Sequence, residues 1–168
     1  MKKNTAMKEQ MKQKTTAPMF AVLVCAILLI ASMFLPYITA IDAYKEMLEF
    51  AEQESALSLL GLFEYLTEDT KAATTVQGIL AGLSVFTALF AILRLPVGAM
   101  IFDVLVTAAT VLLHWLFKTD DYILQYWKFG IGHTLMFVAC AGLLTGTIWM
   151  MVTKAKAKKN FVQVTTDL

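Results

Sequence analysis

The stretch that decides the fold is residues 76–117, VQGILAGLSVFTALFAILRLPVGAMIFDVLVTAATVLLHWLF, where two apolar runs flank Arg94-Leu95-Pro96. The runs cover 76–93 and 97–117, and a helix needs roughly 20 apolar residues to cross about 30 Å of hydrocarbon. The turn 94–96 is so short that the two helices must run antiparallel. The stretch therefore predicts a hairpin of two membrane-spanning helices.

Two further apolar runs lie outward from this hairpin, at 19–41 and 129–152. Hydrophobic residues make up 58% of the chain, charged residues 16%, and the mean hydropathy is +0.66, values outside the range of water-soluble globular domains. The sequence predicts an all-α integral membrane protein, residues 1–168 forming one domain of four transmembrane helices in an antiparallel bundle.

A cleaved signal peptide is the alternative for the run 19–41, because lysines precede it and the small residues Ala40 and Ala43 suit a cleavage site. The run is longer than the roughly 7 to 15 apolar residues of a signal core, which favours a retained anchor. A lipoprotein signal is disfavoured because a bulky valine precedes Cys25. We expect a first transmembrane helix, and the sequence leaves its cleavage open.

The Lys and Arg residues are distributed unevenly between the two sides of the membrane. Ten of them lie in the leader 1–18, the turn 94–96 and the tail 153–168, and four lie in the connections 42–75 and 118–128. Positively charged flanks stay on the cytoplasmic side. The pattern predicts a multi-pass protein of the plasma (cytoplasmic) membrane with both termini in the cytoplasm. Binding of the basic ends to anionic lipids explains these lysines, so no nucleic-acid partner is predicted.

The connection 42–75 is acidic, with eight Asp and Glu residues against two lysines. Its acids lack the spacing and turn glycine of a calcium-binding loop, so they indicate a solvated surface. A first short amphipathic helix is predicted, because apolar residues recur at helical spacing. They are Tyr44, Met47, Leu48 and Ala51. Ser55 is a candidate cap for a second, over 56–63. The apolar faces need cover from the membrane helices, lipid headgroups or a partner protein.

The connection 118–128 is rich in aromatic residues, which settle at the membrane interface and predict anchors rather than a binding site. These are Tyr122, Tyr126 and Trp127, with Trp115 just before the connection.

Two small-xxx-small patterns lie in predicted membrane helices, Gly78/Gly82 in the second span and Gly142/Gly146 in the fourth. Small residues at this spacing let two helix backbones approach closely in lipid. The pattern predicts helix-packing faces, and the contact is either within one chain or between two copies.

A polar stripe marks the third span, where Asp103, Thr107, Thr110 and His114 share one helical face. A charged aspartate inside a span costs about 2.5 to 3.5 kcal/mol on insertion scales, so Asp103 is expected to face other helices. Its candidate partners are Ser84, Thr87, Arg94, Thr145 and Thr147.

Two interpretations of this stripe remain. It is either a path for protons or cations from Asp103 to His114, or a set of hydrogen bonds that holds helices together. The structural interpretation is favoured, because threonines also bond their own helix backbone and no second acid or lysine lies inside a span.

A weaker metal or enzyme hypothesis rests on His114 and His133, which have matching depths and have Glu68, Asp120 and Asp121 within the neighbouring connections. No metal-ligand spacing supports it, and no cofactor motif or Cys-x-x-Cys pair is present. Cys25 and Cys140 lie inside spans and imply no disulfide.

Three classes of function follow. The first is an accessory or scaffold subunit that binds a larger membrane protein or self-associates, the second is proton- or cation-coupled transport along the stripe, and the third is the metal or enzyme activity. The helix count is similar to that of claudins and tetraspanins, but the first loop lacks their cysteines and Trp-Gly-Leu-Trp, so the resemblance implies no site residue.

Overall fold

The computed structural model describes residues 16–67 and 70–166. Most of the predicted leader and the last two residues of the predicted tail lie outside these ranges. Within them the helices are α1 (Thr16–Ser32), α2 (Asp42–Phe50), α3 (Leu59–Thr67), α4 (Thr70–Ile92), α5 (Pro96–Lys118), α6 (Asp121–Tyr126) and α7 (Ile131–Thr166). The strands are β1 (Pro36–Ala40), β2 (Ala56–Ser58) and β3 (Trp127–Phe129).

Three helices in the described ranges are long and apolar enough to cross a membrane. They comprise Ala73–Ile92 of α4, Pro96–Lys118, which is all of α5, and Ile131–Ala157 of α7. The predominance of helix and these three apolar helices agree with the predicted class, a helical membrane protein. The remaining predicted span, the first one over 19–41, corresponds to α1, a shorter apolar helix of 17 residues.

The α4–α5 hairpin forms where it was predicted, and its turn is a Schellman motif. The amide of Leu95 donates to the Phe90 carbonyl at 2.9 Å and the amide of Arg94 to the Ala91 carbonyl at 3.0 Å. Arg94 has a φ of 57°, the left-handed conformation that ends a helix in this motif. Pro96 then starts α5, where its missing N–H leaves no helical bond unmade.

The predicted helix over 19–41 is too long at its carboxyl end. After Ser32, the amides of Met33, Phe34 and Leu35 bond carbonyls three residues back, so the chain tightens and leaves the α-helix. Pro36 has no N–H to continue the helix and disfavours helical geometry in the residue before it. Residues Pro36–Ala40 form strand β1 instead.

Strand β1 is the centre of a small antiparallel sheet that was not predicted from the sequence. The strand order is β2-β1-β3, with Ile38 opposite both Leu57 and Phe129. The three strands are three to five residues long and come from three separate connections. The sheet therefore ties the connection after α1, the connection before α3 and the start of α7 into one cap.

The entry to α7 passes very close to the end of α1. The Gly130 amide donates to the Tyr37 carbonyl at 2.8 Å. A Cβ on Gly132 would lie 2.7 Å from the Leu35 carbonyl oxygen, so a side chain there has no room. The helix that begins here continues to Thr166, so the predicted end of the fourth span at 152 and residues 153–166 of the predicted tail fall inside one helix.

The long helices contact one another in a ring, α1 with α4 and α7, and α5 with α4 and α7. Fully buried side chains from different helices meet along these contacts. They include Val22, Leu29, Leu80, Val106, Met136 and Leu143. Many other apolar side chains of the same helices are exposed, among them Ile27, Ile79, Leu112 and Val138, as expected of surfaces that contact lipid.

The connection between α1 and α4 folds onto the chain itself. Helix α2 forms as predicted and buries Leu48, whereas Met47 and Phe50 of the same helix are exposed. The second predicted helix is wrong in its first turn, because residues Ala56–Ser58 pair with β1. The Ser58 hydroxyl accepts a hydrogen bond from the Gly61 amide at 3.2 Å, so Ser58 and not Ser55 caps α3.

The aromatic residues before α7 do not all behave as interface anchors. Trp115 is 59% exposed, as an anchor would be, but Trp127 is 4% exposed. Tyr44 packs against Trp127 with ring centroids 5.7 Å apart and against Tyr126 at 4.9 Å. The side chain of Tyr122 is outside the described set. The anchor prediction is wrong for Trp127, because pairing of β3 with β1 draws its ring inward.

Candidate functional site

The polar stripe of α5 faces α7. Asp103 is 0% exposed, Thr110 is buried, and Thr107 and His114 are half-buried. One side of α5 thus places four polar groups against a neighbouring helix, within a part of the chain that is otherwise apolar.

Asp103 is held by Thr147 of α7. The Thr147 hydroxyl lies 2.8 Å from the Asp103 carboxyl oxygen Oδ2 and 3.0 Å from the Leu143 carbonyl oxygen. Since a hydroxyl has a single proton, it can serve only one of these acceptors at a time. Of the five candidate partners in the sequence, Thr147 is the one in contact with the carboxyl group.

The other four candidates have other neighbours. Ser84, Thr87 and Thr145 donate to carbonyls of their own helices, those of Leu80, Leu83 and Ala141. The backbone carbonyl of Arg94 accepts from Lys154 at 3.2 Å. Within the described ranges Arg94 and Asp103 form no ion pair.

Two buried polar atoms at this position have no hydrogen-bond partner among the described residues. They are the second carboxyl oxygen of Asp103, Oδ1, and the hydroxyl of Thr107 one turn later. A buried polar group without a partner costs about 1–3 kcal/mol. The pair is therefore a costly polar feature of the helical layer, and a proton or a ligand that supplied the missing contacts would lower that cost.

The next step along the stripe joins α5 to α7 through a thiol. Thr110 donates to the Val106 carbonyl at 2.9 Å, and the Cys140 thiol lies 3.6 Å from the Thr110 hydroxyl oxygen. Among the described residues no hydrogen bond connects Thr110 with His114. The stripe is a series of separate contacts between helices and not a continuous chain.

His114 and His133 form a direct pair at the sheet end of the helices. Nδ1 of His114 lies 2.9 Å from Nε2 of His133, so one ring donates and the other accepts. Phe129 stacks on His133 with centroids 4.1 Å apart, and Phe137 packs edge-on against His114 at 5.3 Å. An aromatic enclosure of this kind fixes both rings.

Tyr37 of strand β1 closes the same cluster and was not singled out from the sequence. Its ring meets the His133 ring edge-on at 5.2 Å, and its hydroxyl is buried without a partner among the described residues. Burial raises the pKa of the Tyr37 phenol above its usual range, so the group stays protonated.

The metal hypothesis gains no further ligand from this geometry. Within residues 16–67 and 70–166 no group of three or more His, Cys, Asp or Glu side chains is placed to hold a metal ion. Glu68, one of the acids considered with the histidines, lies outside the described residues.

The two glycine pairs have different surroundings. A Cβ on Gly146 would lie 2.8 Å from a methyl carbon of Val22, and one on Gly142 would meet the Cys25 sulfur, so this pair packs directly against α1. Cβ atoms on Gly78 and Gly82 would meet nothing within 4 Å. The pair Gly142/Gly146 on α7 therefore packs against another helix of the same chain. The pair Gly78/Gly82 on α4 has no such neighbour and is called the open glycine face below.

Comparison with known proteins adds no assignment to these features. No protein-family model matches the chain, and neither the curated proteins nor the solved structures contain a significant match.

Proposed function

We propose that this chain is a multi-pass protein of the plasma membrane, with four spans in an antiparallel bundle and both termini in the cytoplasm. The ring of contacts among α1, α4, α5 and α7 supports the bundle. At 1.5 Å per residue the 17 residues of α1 cover about 25 Å, which local thinning of the bilayer accommodates. The uneven distribution of Lys and Arg supports the orientation.

Labelling of single cysteines tests this topology. In a background with Cys25→Ala and Cys140→Ala, Phe50→Cys should react with an impermeant thiol reagent on intact cells. Lys156→Cys should react only after the membrane is permeabilised. Because Phe50 is 93% exposed, burial of the side chain would not explain a failure of Phe50→Cys to react. Labelling of position 156 on intact cells would reject the orientation.

In this membrane the protein acts as an accessory or scaffold subunit that binds another transmembrane helix through its open glycine face. The carrying observation is the free space at Gly78 and Gly82, compared with the close packing of Gly142 and Gly146 on α1. Exposed apolar side chains in lipid are no evidence of a partner. A two-glycine groove is different, because it allows a second backbone to approach and gain dispersion contacts.

The partner is a larger membrane protein or a second copy of the chain, and purification distinguishes them. A chain with an affinity tag after Leu168 is isolated in mild detergent and its mass is measured. A stoichiometric larger protein or a dimer is expected for the wild type, and Gly82→Leu should lose it because a leucine fills the groove. Ala108→Leu is the matched control, since Ala108 is exposed on α5.

Two results would reject this proposal. One is recovery of the wild-type chain alone as a monomer. The other is equal retention of the partner by Gly82→Leu and Ala108→Leu, which would show that the glycine groove takes no part in binding.

Proton- or cation-coupled transport is a second candidate function, and one observation favours it. The buried carboxyl oxygen of Asp103 and the neighbouring Thr107 hydroxyl have no partner among the described residues, although each such group is costly in an apolar layer. A proton on the carboxyl group, or a cation held between these oxygens, removes that cost.

Flux in reconstituted vesicles tests the transport candidate. A pH gradient should drive a flux that Asp103→Asn abolishes, while Asp121→Asn, the same change at an exposed acid, leaves it intact. Unchanged flux in Asp103→Asn would eliminate the carboxyl group from any transport path.

A further inference from the structure

A cavity of about 420 Å³ lies in the part of the molecule built from the connection between α1 and α4, away from the polar stripe and from the open glycine face. Its volume falls within the range of about 300–1,000 Å³ typical of small-molecule sites. Its lining residues come from four elements and the turn after α2. They are Leu48, Gln53, Glu54, Leu57, Gly61, Glu64, Tyr65 and Trp127.

The wall formed by Gln53 and Glu54 is held in place by a second Schellman motif. The Gln53 amide donates to the Leu48 carbonyl at 2.9 Å and the Glu52 amide to the Glu49 carbonyl at 3.2 Å. Glu52 has a φ of 56°, the left-handed conformation of this motif. Three backbone hydrogen bonds therefore fix where Glu54 leaves the turn, since the Ala51 amide also bonds Met47.

The opposite wall is the helix α3, whose start is capped by Ser58. Glu64 and Tyr65 lie one turn after Gly61 on this helix. An oxygen of the Glu64 carboxylate accepts from the Thr70 hydroxyl at 2.9 Å, which orients the carboxylate without neutralising its charge. Both acidic groups of the cavity are thus attached to ordered backbone.

Aromatic rings complete the lining. Trp127 belongs to β3 and packs edge-on against Tyr65, with ring centroids 6.1 Å apart. Tyr65 is 43% exposed, so its ring is accessible from solvent. The face of an exposed phenol ring attracts a cation. Trp127 is 4% exposed and packs against Tyr65, so Tyr65 is the ring that a ligand can reach.

The charge of the cavity has one sign. The lining residues that the structure describes include two carboxylates and no Lys, Arg or His. In the described part of the chain neither Glu54 nor Glu64 forms an ion pair, and Lys45 pairs instead with Glu49 at 3.7 Å on α2. The cavity therefore combines unneutralised negative charge with aromatic rings and two leucines, Leu48 and Leu57.

We propose that this cavity binds a small organic cation of the ammonium class. The carboxylates of Glu54 and Glu64 supply the charge, and the exposed ring of Tyr65, with Trp127 packed against it, supplies an aromatic face to the alkyl groups around the nitrogen. This site is independent of the open glycine face, so its failure would leave the accessory proposal untouched, and the reverse also holds.

Calorimetric titration of the full chain in detergent with choline tests the proposal. Saturable binding is expected for choline and not for dimethylbutanol, its neutral carbon isostere. The two molecules have the same shape, and only choline has the positive charge that the carboxylates attract. Glu54→Gln and Glu64→Gln should each weaken binding by about fivefold or more. Raising the salt concentration should also weaken it.

Glu46→Gln is the matched control, since Glu46 is an exposed acid of the same connection that does not line the cavity. It should change choline affinity by less than about twofold. Choline binding that Glu46→Gln weakens as much as Glu64→Gln would show diffuse attraction to an acidic surface and overturn the site. Equal binding of dimethylbutanol, or no saturable binding of choline, would overturn it as well.

Discussion

The contact between Asp103 and Thr147 allows a sharp test of what holds α5 against α7. Thr147→Val keeps the shape of the side chain and removes the hydroxyl that lies 2.8 Å from Oδ2 of Asp103. Because Oδ1 has no described partner, the variant leaves both oxygens of a fully buried carboxyl group unsatisfied. The variant should therefore be less stable than the wild type.

The magnitude follows from two opposing effects. Loss of a hydrogen bond to a charged acceptor costs about 1.5–3 kcal/mol in water-soluble proteins, whereas hydrogen bonds between membrane helices average about 0.6 kcal/mol with a maximum near 1.7. The Thr147 hydroxyl also has the Leu143 carbonyl as an alternative acceptor at 3.0 Å, which reduces its share in the interhelical bond. We expect Thr147→Val to lower the free energy of unfolding by about 1–2 kcal/mol.

Unfolding in mixed detergent micelles measures this difference. The matched control is Thr145→Val on the same helix, because Thr145 is exposed and, among the described residues, donates to the Ala141 carbonyl of its own helix at 2.8 Å. The double variant Thr147→Val with Asp103→Leu should be no less stable than Thr147→Val alone, since removing both partners leaves neither side of this contact unpaired. If Thr147→Val is as stable as Thr145→Val, the contact does not stabilise the packing of these helices.

Three more predictions concern the same helical layer. Gly146→Leu should lower the free energy of unfolding by about 1–3 kcal/mol, because the leucine overpacks against Val22. Gly78→Leu should not lower it, because that position is open. Equal destabilisation by the two variants would refute the difference between the glycine pairs. Arg94→Val should cost about 1 kcal/mol in detergent unfolding because a β-branched residue disfavours the φ of 57°, and Arg94→Gly should not be destabilising. His133→Phe should cost about 1 kcal/mol by leaving His114 without its partner at 2.9 Å, and the double replacement by Phe should recover part of that loss on the same scale.

The candidate site was partly predictable from residue spacing. Residues four and seven apart lie on one face of a helix, so the alignment of Asp103 with Thr107 and Thr110 required no tertiary information. Which neighbour meets Asp103 could not be read in the same way. Ser84 and Thr147 are equally suitable by chemistry, and only the rotation of α7 against α5 places the hydroxyl of Thr147 at the carboxyl group.

The small sheet shows a different limit. The apolar run over 19–41 continues past Ser32 because Phe34, Leu35 and Ile38 are as hydrophobic as the residues of a membrane helix. Hydropathy alone does not distinguish a buried strand from the end of a helix, although Pro36 is a local signal that the helix should stop. The partners of β1 lie far away in sequence, at 56–58 and 127–129, so their pairing has no local signature.

The sequence by itself determined that the chain is a helical membrane protein with a tight hairpin at 94–96, because long apolar runs and short turns are properties of consecutive residues. The tertiary structure decided which surfaces are used and which stay open. It packed Gly142 and Gly146 on α1, left Gly78 and Gly82 free, and gathered Glu54, Glu64, Tyr65 and Trp127 around one cavity. The physical reason is that helix rotation and strand pairing depend on contacts between distant segments, which no single segment encodes.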